Sequence, residues 1–326
     1  MERPETVTRI AALAAALFLL AVPAFGQALN QREVEIDGGR AALHGTLTLP
    51  LTGAARDVAL ILPGSGPTDR NGNFPEGEND SLKLLADGLA AKGIATLRID
   101  KRGVGASFAA APDEADLRAE TYVEDALAWS DFLQAELPDA RLFLIGHSEG
   151  ALLASLTAQQ RDVSGIVLVA GVGRPAPDLI REQISGSSMS DELKRRSDEL
   201  LETLKRGETD DNVPRELAPL YRPSVQPYLI SWFAYDPARE FAKLTIPALI
   251  IHGSHDLQVP TADAMLLAAA RPDATFVTVE QMNHVLKSAP IDRAENISTY
   301  ADPARPLAQG LIDTIADFIG KMAAPE

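Results

Sequence analysis

Leu142-Phe143-Leu144-Ile145-Gly146-His147-Ser148-Glu149-Gly150 decides how the rest of this chain is read. Four apolar residues run into a G-x-S-x-G pentapeptide, and the alanine- and leucine-rich stretch from Ala151 to Ala158 follows as a helix former. The order is therefore strand, tight turn, helix. So sharp a turn brings strand and helix backbones too close for side chains, which explains glycines two residues either side of the serine. Ser148 is lifted off the strand end with its hydroxyl exposed and a helix N-terminus beneath it. This is the local setting of a nucleophilic serine.

Working outward, Glu33–Ile36 and Ala42–Leu49 read as antiparallel strands joined at Asp37-Gly38-Gly39. Val58–Leu62 is a continuous apolar run, as expected of a strand buried on both faces. A helix over 81–91, a strand over 94–99, a helix over 117–137 and a strand over 165–170 continue the alternation. It then breaks. From about 173 to 244 no strand-like run occurs, and Leu193, Leu200, Leu201 and Leu204 fall on one face of a charged helix over 190–206. Strand 247–251, helix 261–270, strand 275–279 and a final helix over 307–322 complete the pattern. Such alternation predicts an α/β protein with a mostly parallel sheet flanked by helices, and a helical cap inserted after the sixth strand. The core is expected from 29–173 and 241–326, with the cap at 174–240.

Residues 1–28 read as a secretory signal peptide. Arg3 and Arg9 flank its start, Ile10–Val22 is apolar, and Pro23–Ala28 offers small-residue cleavage positions. The apolar run is about 13 residues, short of the roughly 20 that span a bilayer. An uncleaved anchor is the alternative reading. Cleavage predicts a periplasmic or secreted protein with no stable membrane association. The chain has no cysteine, so burial of its 46% hydrophobic residues must stabilise the fold without disulfides. A net charge of −16 opposes binding to nucleic acid. The oligomeric state stays open.

A serine hydroxyl needs an adjacent base, and the base needs an orienting acid. Of the five histidines, His284 alone follows both the serine and a plausible acid at a strand end, namely Asp256. Ser148, Asp256 and His284 are thus the expected catalytic set, with Asp178 the competing acid. His147 is too constrained within the turn to serve as the base. His252 and His255 form an H-x-x-H on a turn, which suits pocket lining better than a metal. An oxyanion needs two preorganised N–H donors. Glu149, after the nucleophile, is one; the loop after Val58–Leu62 supplies the other, with Ser65 the first choice and Gly66 the alternative. Trp232, Phe233 and Tyr235, with Tyr228, offer an aromatic substrate-binding surface or plain cap packing.

Together, Leu62-Pro63-Gly64-Ser65-Gly66-Pro67-x-Asp69-Arg70-x-Gly72-Asn73, Asp100-x-Arg102-Gly103-x-Gly105-x-Ser107, the 146–150 pentapeptide and Pro247 to Val259 resemble bacterial α/β-hydrolases. The likeness is strongest to the branch holding serine aminopeptidase-like and dienelactone- or feruloyl esterase-like enzymes, and covers nearly all of 33–321. It implies an α/β-hydrolase fold, Ser148 as nucleophile, Asp256 as acid, His284 as base, and Ser65 and Glu149 as oxyanion donors. It also implies a small-molecule ester substrate and no cofactor. Ala151 departs from the second glycine that many relatives carry there. The alternatives are an aminopeptidase-type serine peptidase, with Glu149 or Asp69 receiving an α-amine, and a non-catalytic binding protein.

Overall fold

Residues 30–322 are described by the structure, a computed structural model, so the leader read at 1–28 lies outside the described residues. The strands are β1 (Asn30–Asp37), β2 (Ala42–Leu49), β3 (Asp57–Leu62), β4 (Ala95–Ile99), β5 (Arg141–His147), β6 (Gly165–Val169), β7 (Ala248–Gly253) and β8 (Thr275–Val279). They form one sheet in the order β1-β2-β4-β3-β5-β6-β7-β8. β3 to β8 are parallel, while β1 and β2 join antiparallel at one edge. The period of two persists inside the continuous apolar runs. Leu60, Leu144, Leu168 and Ile250 face one layer, and Ile61, Phe143, Ile145, Val167 and Ile251 face the other.

Helices cover both faces. α1 (Ser81–Ala91) lies on one side; α2 (Ala119–Glu136) and α3 (Gly150–Ala158) lie on the other. Between β6 and β7 come α4 (Ala176–Ser185), α5 (Asp191–Lys205), α6 (Ala218–Tyr221), α7 (Gln226–Phe233) and α8 (Pro237–Ala242). α9 (Thr261–Ala270), α10 (Arg293–Ser298) and α11 (Leu311–Lys321) complete the chain, with α11 beside α1. Among the described residues no helix is long and apolar enough to cross a membrane.

The cap has its own core. Leu200, Leu201 and Leu204 of α5 are buried against Leu217, Tyr221 and Leu229, with Leu193 half-buried at the margin. Ser190 starts that helix by accepting a hydrogen bond from the Leu193 N–H, and Asp191 and Glu192 favour its N-terminal dipole. Several contacts seat the cap on the sheet domain, two of them near its ends. The Ser231 hydroxyl accepts from the Ala119 N–H at 2.8 Å, capping the start of α2. The fully buried Asp263 carboxylate takes Arg174 Nε at 3.1 Å, Arg174 Nη2 at 2.6 Å and the Gly173 N–H at 3.0 Å.

Replacing Arg174 by alanine leaves that carboxylate enclosed and without its cation. Stability is expected to fall by about 3 kcal/mol, and Asp263→Asn in the same background should recover part of it. Thermal melts of the two variants check the pairing.

The last third of the chain departs most from the sequence reading. The final helix begins at Leu311, behind Gly310 in the left-handed region at φ 86°. Between β8 and α11 the chain makes a packed excursion containing α10 and the fully buried Lys287, whose ammonium donates to the Arg305 carbonyl at 2.5 Å. Polar residues spaced irregularly give such a segment no helical or strand period, so it reads as plain loop.

Candidate active site

β5 ends at His147, and α3 starts at Gly150, leaving two residues for the turn. Ser148 sits at φ 55°, a left-handed conformation that costs a non-glycine residue about 1–2 kcal/mol. Its N–H donates to the Val169 carbonyl at 2.9 Å, and its carbonyl accepts from the Ala151 N–H at 3.0 Å. The flanking glycines are steric requirements. A Cβ on Gly146 would stand 2.2 Å from the Gly150 carbonyl oxygen, and one on Gly150 would stand 2.3 Å from that of Leu62.

Asp256 and His284 come together on the loops after β7 and β8. His284 Nδ1–H donates to Asp256 Oδ2 at 2.9 Å. Asp256 Oδ1 accepts from the N–H groups of Gln258 at 2.8 Å and Val259 at 3.0 Å. Burial pushes this carboxyl upward, but the charge and hydrogen bond of His284 and the two backbone donors outweigh it. The group is held below the ordinary carboxylate range. Asp178, the competing acid, lies in the first turn of α4 and pairs with Arg181 at the surface.

His147 is tied to the loop that carries His284. Its Nε2–H donates to the His284 main-chain carbonyl at 2.8 Å, with the two rings 4.9 Å apart. Burial and the neighbouring His284 depress its pKa to about 3, so it stays a neutral donor. His255 Nδ1–H donates to the Ala289 carbonyl at 2.7 Å, while His252 is buried, with burial favouring its neutral form. Among the described residues, no group of three or more His, Cys, Asp or Glu converges as a metal site.

Ser148 and His284 line one cavity of about 310 Å³ together with Gly64, Ser65, Phe74, Gln258 and Tyr300. The Gly64 peptide lies against Ser148: a Cβ there would be 3.1 Å from Ser148 Cβ. Among the described residues, neither the Ser65 nor the Glu149 backbone N–H donates a hydrogen bond within the protein. Two free amide donors beside a serine are what an anion at that point requires. Gly66, the alternative, lines instead a neighbouring cleft of about 350 Å³ between core and cap, with Pro67 common to both.

Phe108, Tyr122, Val225 and Tyr228 form the apolar walls of that cleft. Trp232, Phe233 and Tyr235 line neither space; they pack in and beside the cap core, and the Tyr235 hydroxyl donates to Glu120 at 2.6 Å. The four aromatics are close in sequence, three on α7 and Tyr235 just after it, but of these only Tyr228 faces the cleft. Sequence reasoning missed Phe74, Gln258 and Tyr300, which lie in loops that carry no period.

Of the two acids offered as amine receptors, Asp69 is engaged by its own loop and Glu149 is enclosed. Asp69 Oδ1 accepts from the N–H groups of Asn71 at 2.8 Å and Asn73 at 2.9 Å, shaping its own loop. Glu149 is buried, and neither carboxylate oxygen has a partner or meets solvent. Burial raises its proton affinity, and the nearby Lys101 opposes that rise.

Esterase EstD from Thermotoga maritima is 28% identical to this chain over 282 residues, covering 82% of the chain. The chain spans 63% of the length of that relative. Among solved structures, Est1E from Butyrivibrio proteoclasticus, determined with ferulic acid bound, matches with a TM-score of 0.58 at 17% identity, covering 89% of this chain and 97% of the other. Dienelactone hydrolase from Anabaena variabilis matches with a TM-score of 0.51 at 17% identity, covering 90% and 96%. At these identities the two structures speak for the fold. The sequence profile of the Alpha/beta hydrolase family matches residues 43–297, most of the chain, and this protein therefore belongs to that family.

Proposed function

We propose that this protein is an exported serine hydrolase of carboxylic esters, working through an acyl-enzyme on Ser148. The observation that carries the reading is the Asp256–His284 hydrogen bond, with His284 lining the same cavity as the strained Ser148. Asp256 fixes the proton of His284 on Nδ1, leaving the other ring nitrogen to accept the Ser148 proton. The serine oxygen attacks the ester carbonyl, and the tetrahedral oxyanion is met by the Ser65 and Glu149 N–H groups. His284 returns the proton to the departing alcohol. Water then adds to the acyl-enzyme with His284 again as base, releasing acid and free Ser148. Export rests on the sequence of residues 1–28 and places the enzyme in the periplasm or the medium.

An ester is favoured over a peptide with a free α-amine because Asp69 is consumed by its own turn and the Glu149 carboxylate is sealed. Esterase EstD, the similar curated protein, is named for the same chemistry. Rates on p-nitrophenyl esters of increasing chain length, set beside aminoacyl- and prolyl-anilides, test the assignment. Esters are expected to turn over faster by at least about 100-fold, about 3 kcal/mol in barrier. Faster anilide cleavage overturns it.

A further inference from the structure

Lys101 follows β4 and is almost completely buried, at 5% exposure. Enclosing an ammonium costs several kcal/mol unless it is compensated. Here the compensation is thin. Its Nζ donates to the Gly64 carbonyl at 2.5 Å and lies 5.5 Å from the centre of the Tyr122 ring. Burial lowers its proton affinity, and the Glu149 carboxylate, which favours its charge, makes no hydrogen bond to it. A plain packing role would be served more cheaply by leucine or methionine.

The partner it chooses explains the expense. The Gly64 carbonyl and the Ser65 N–H belong to one peptide unit, and no peptide bond in the described chain is cis. In a trans peptide, C=O and N–H point in opposite directions from the same plane. A donor on the oxygen therefore fixes how that plane is turned. It also draws electron density along the amide, making the N–H on the far side a better donor. Glu149, the neighbour that feels Lys101, carries the second free N–H. One side chain thus touches one oxyanion donor's peptide and electrostatically addresses the residue bearing the other.

We infer that Lys101 is a positioning residue that orients and polarises the Gly64–Ser65 peptide toward the tetrahedral oxyanion. The inference rests on the serine esterase reading and adds a residue to it. The test is Lys101→Met, assayed on the fastest p-nitrophenyl ester. A fall in kcat of about 10- to 100-fold is expected, smaller than complete loss of an oxyanion donor. KM should change by less than about threefold, since the ground-state carbonyl gains little from the donor. Affinity for a trifluoromethyl ketone, which forms the tetrahedral adduct, should drop by the same factor as kcat/KM, while affinity for the product acid holds. Wild-type kcat in Lys101→Met, or a loss confined to KM, overturns the inference. If that variant does not fold, Lys101→Arg and Lys101→Gln keep a donor, and kcat should fall in the order wild type, arginine, glutamine; equal rates overturn it. Failure of the underlying reading looks different: a fluorophosphonate would not label wild-type Ser148, and Ser148→Ala would keep its activity.

Discussion

Ser148→Ala is expected to lower kcat on esters by about 10⁴-fold or more while leaving the fold intact. The hydroxyl makes no hydrogen bond that the fold depends on, because the main chain of residue 148 carries the contacts to Val169 and Ala151. A glycine at the same position separates strain from chemistry. Ser148→Gly relieves about 1–2 kcal/mol of left-handed strain but loses about 0.5–1 kcal/mol to the freer unfolded chain. It should therefore be more stable than wild type by up to about 1.5 kcal/mol and melt higher, yet be equally inactive. Calorimetry beside an ester assay reads both. A Ser148→Gly variant that melts below wild type would mean the elbow is not strained.

Asp256→Asn should cost about as much as losing the serine, roughly 10⁴-fold in kcat. The geometry says why. Asp256 Oδ1 is held by two main-chain N–H groups, so the amide oxygen of asparagine must stay there. Its NH₂ then faces His284 Nδ1, which can only accept, and the ring proton moves to the nitrogen that should receive the Ser148 proton. Asp256→Asn should keep KM within about threefold, since the acid is buried behind His284 and does not line the cavity. Stability carries a second signature. The Asp256 carboxyl is depressed in the folded state, so its contribution is complete above the unfolded value, about 4, and is lost as pH falls through the folded value. The gap in melting temperature between wild type and Asp256→Asn should therefore be constant at neutral pH and close below pH 4.

The fold was legible wherever burial imposes a period. β2, α1, α9 and β8 fall on the ranges that spacing predicts, because sheet and helix faces leave their repeat in the residues. The pentapeptide around Ser148 was legible for a steric reason, since only glycine fits at 146 and 150. Residues that act through main-chain atoms or from irregular loops left no such trace. Nothing in the sequence distinguishes the His147 ring as a donor to a carbonyl, or Tyr300 as a wall of the cavity, or separates Tyr228 from Trp232. Those depend on how distant loops meet, which residue spacing does not encode.

The bond from His147 to the main chain of His284 has a mechanical meaning. Ser148, the proposed nucleophile, and His284, the proposed base, sit on segments far apart in the chain, with His147 lying 137 positions from His284. The residue immediately before Ser148 nevertheless grips the backbone of His284. Both groups thus ride on one mount, and a displacement of the β5 end carries the two together rather than pulling them apart. The cap, whose helices carry neither residue, can then shift without changing the reach between the Ser148 hydroxyl and the His284 imidazole.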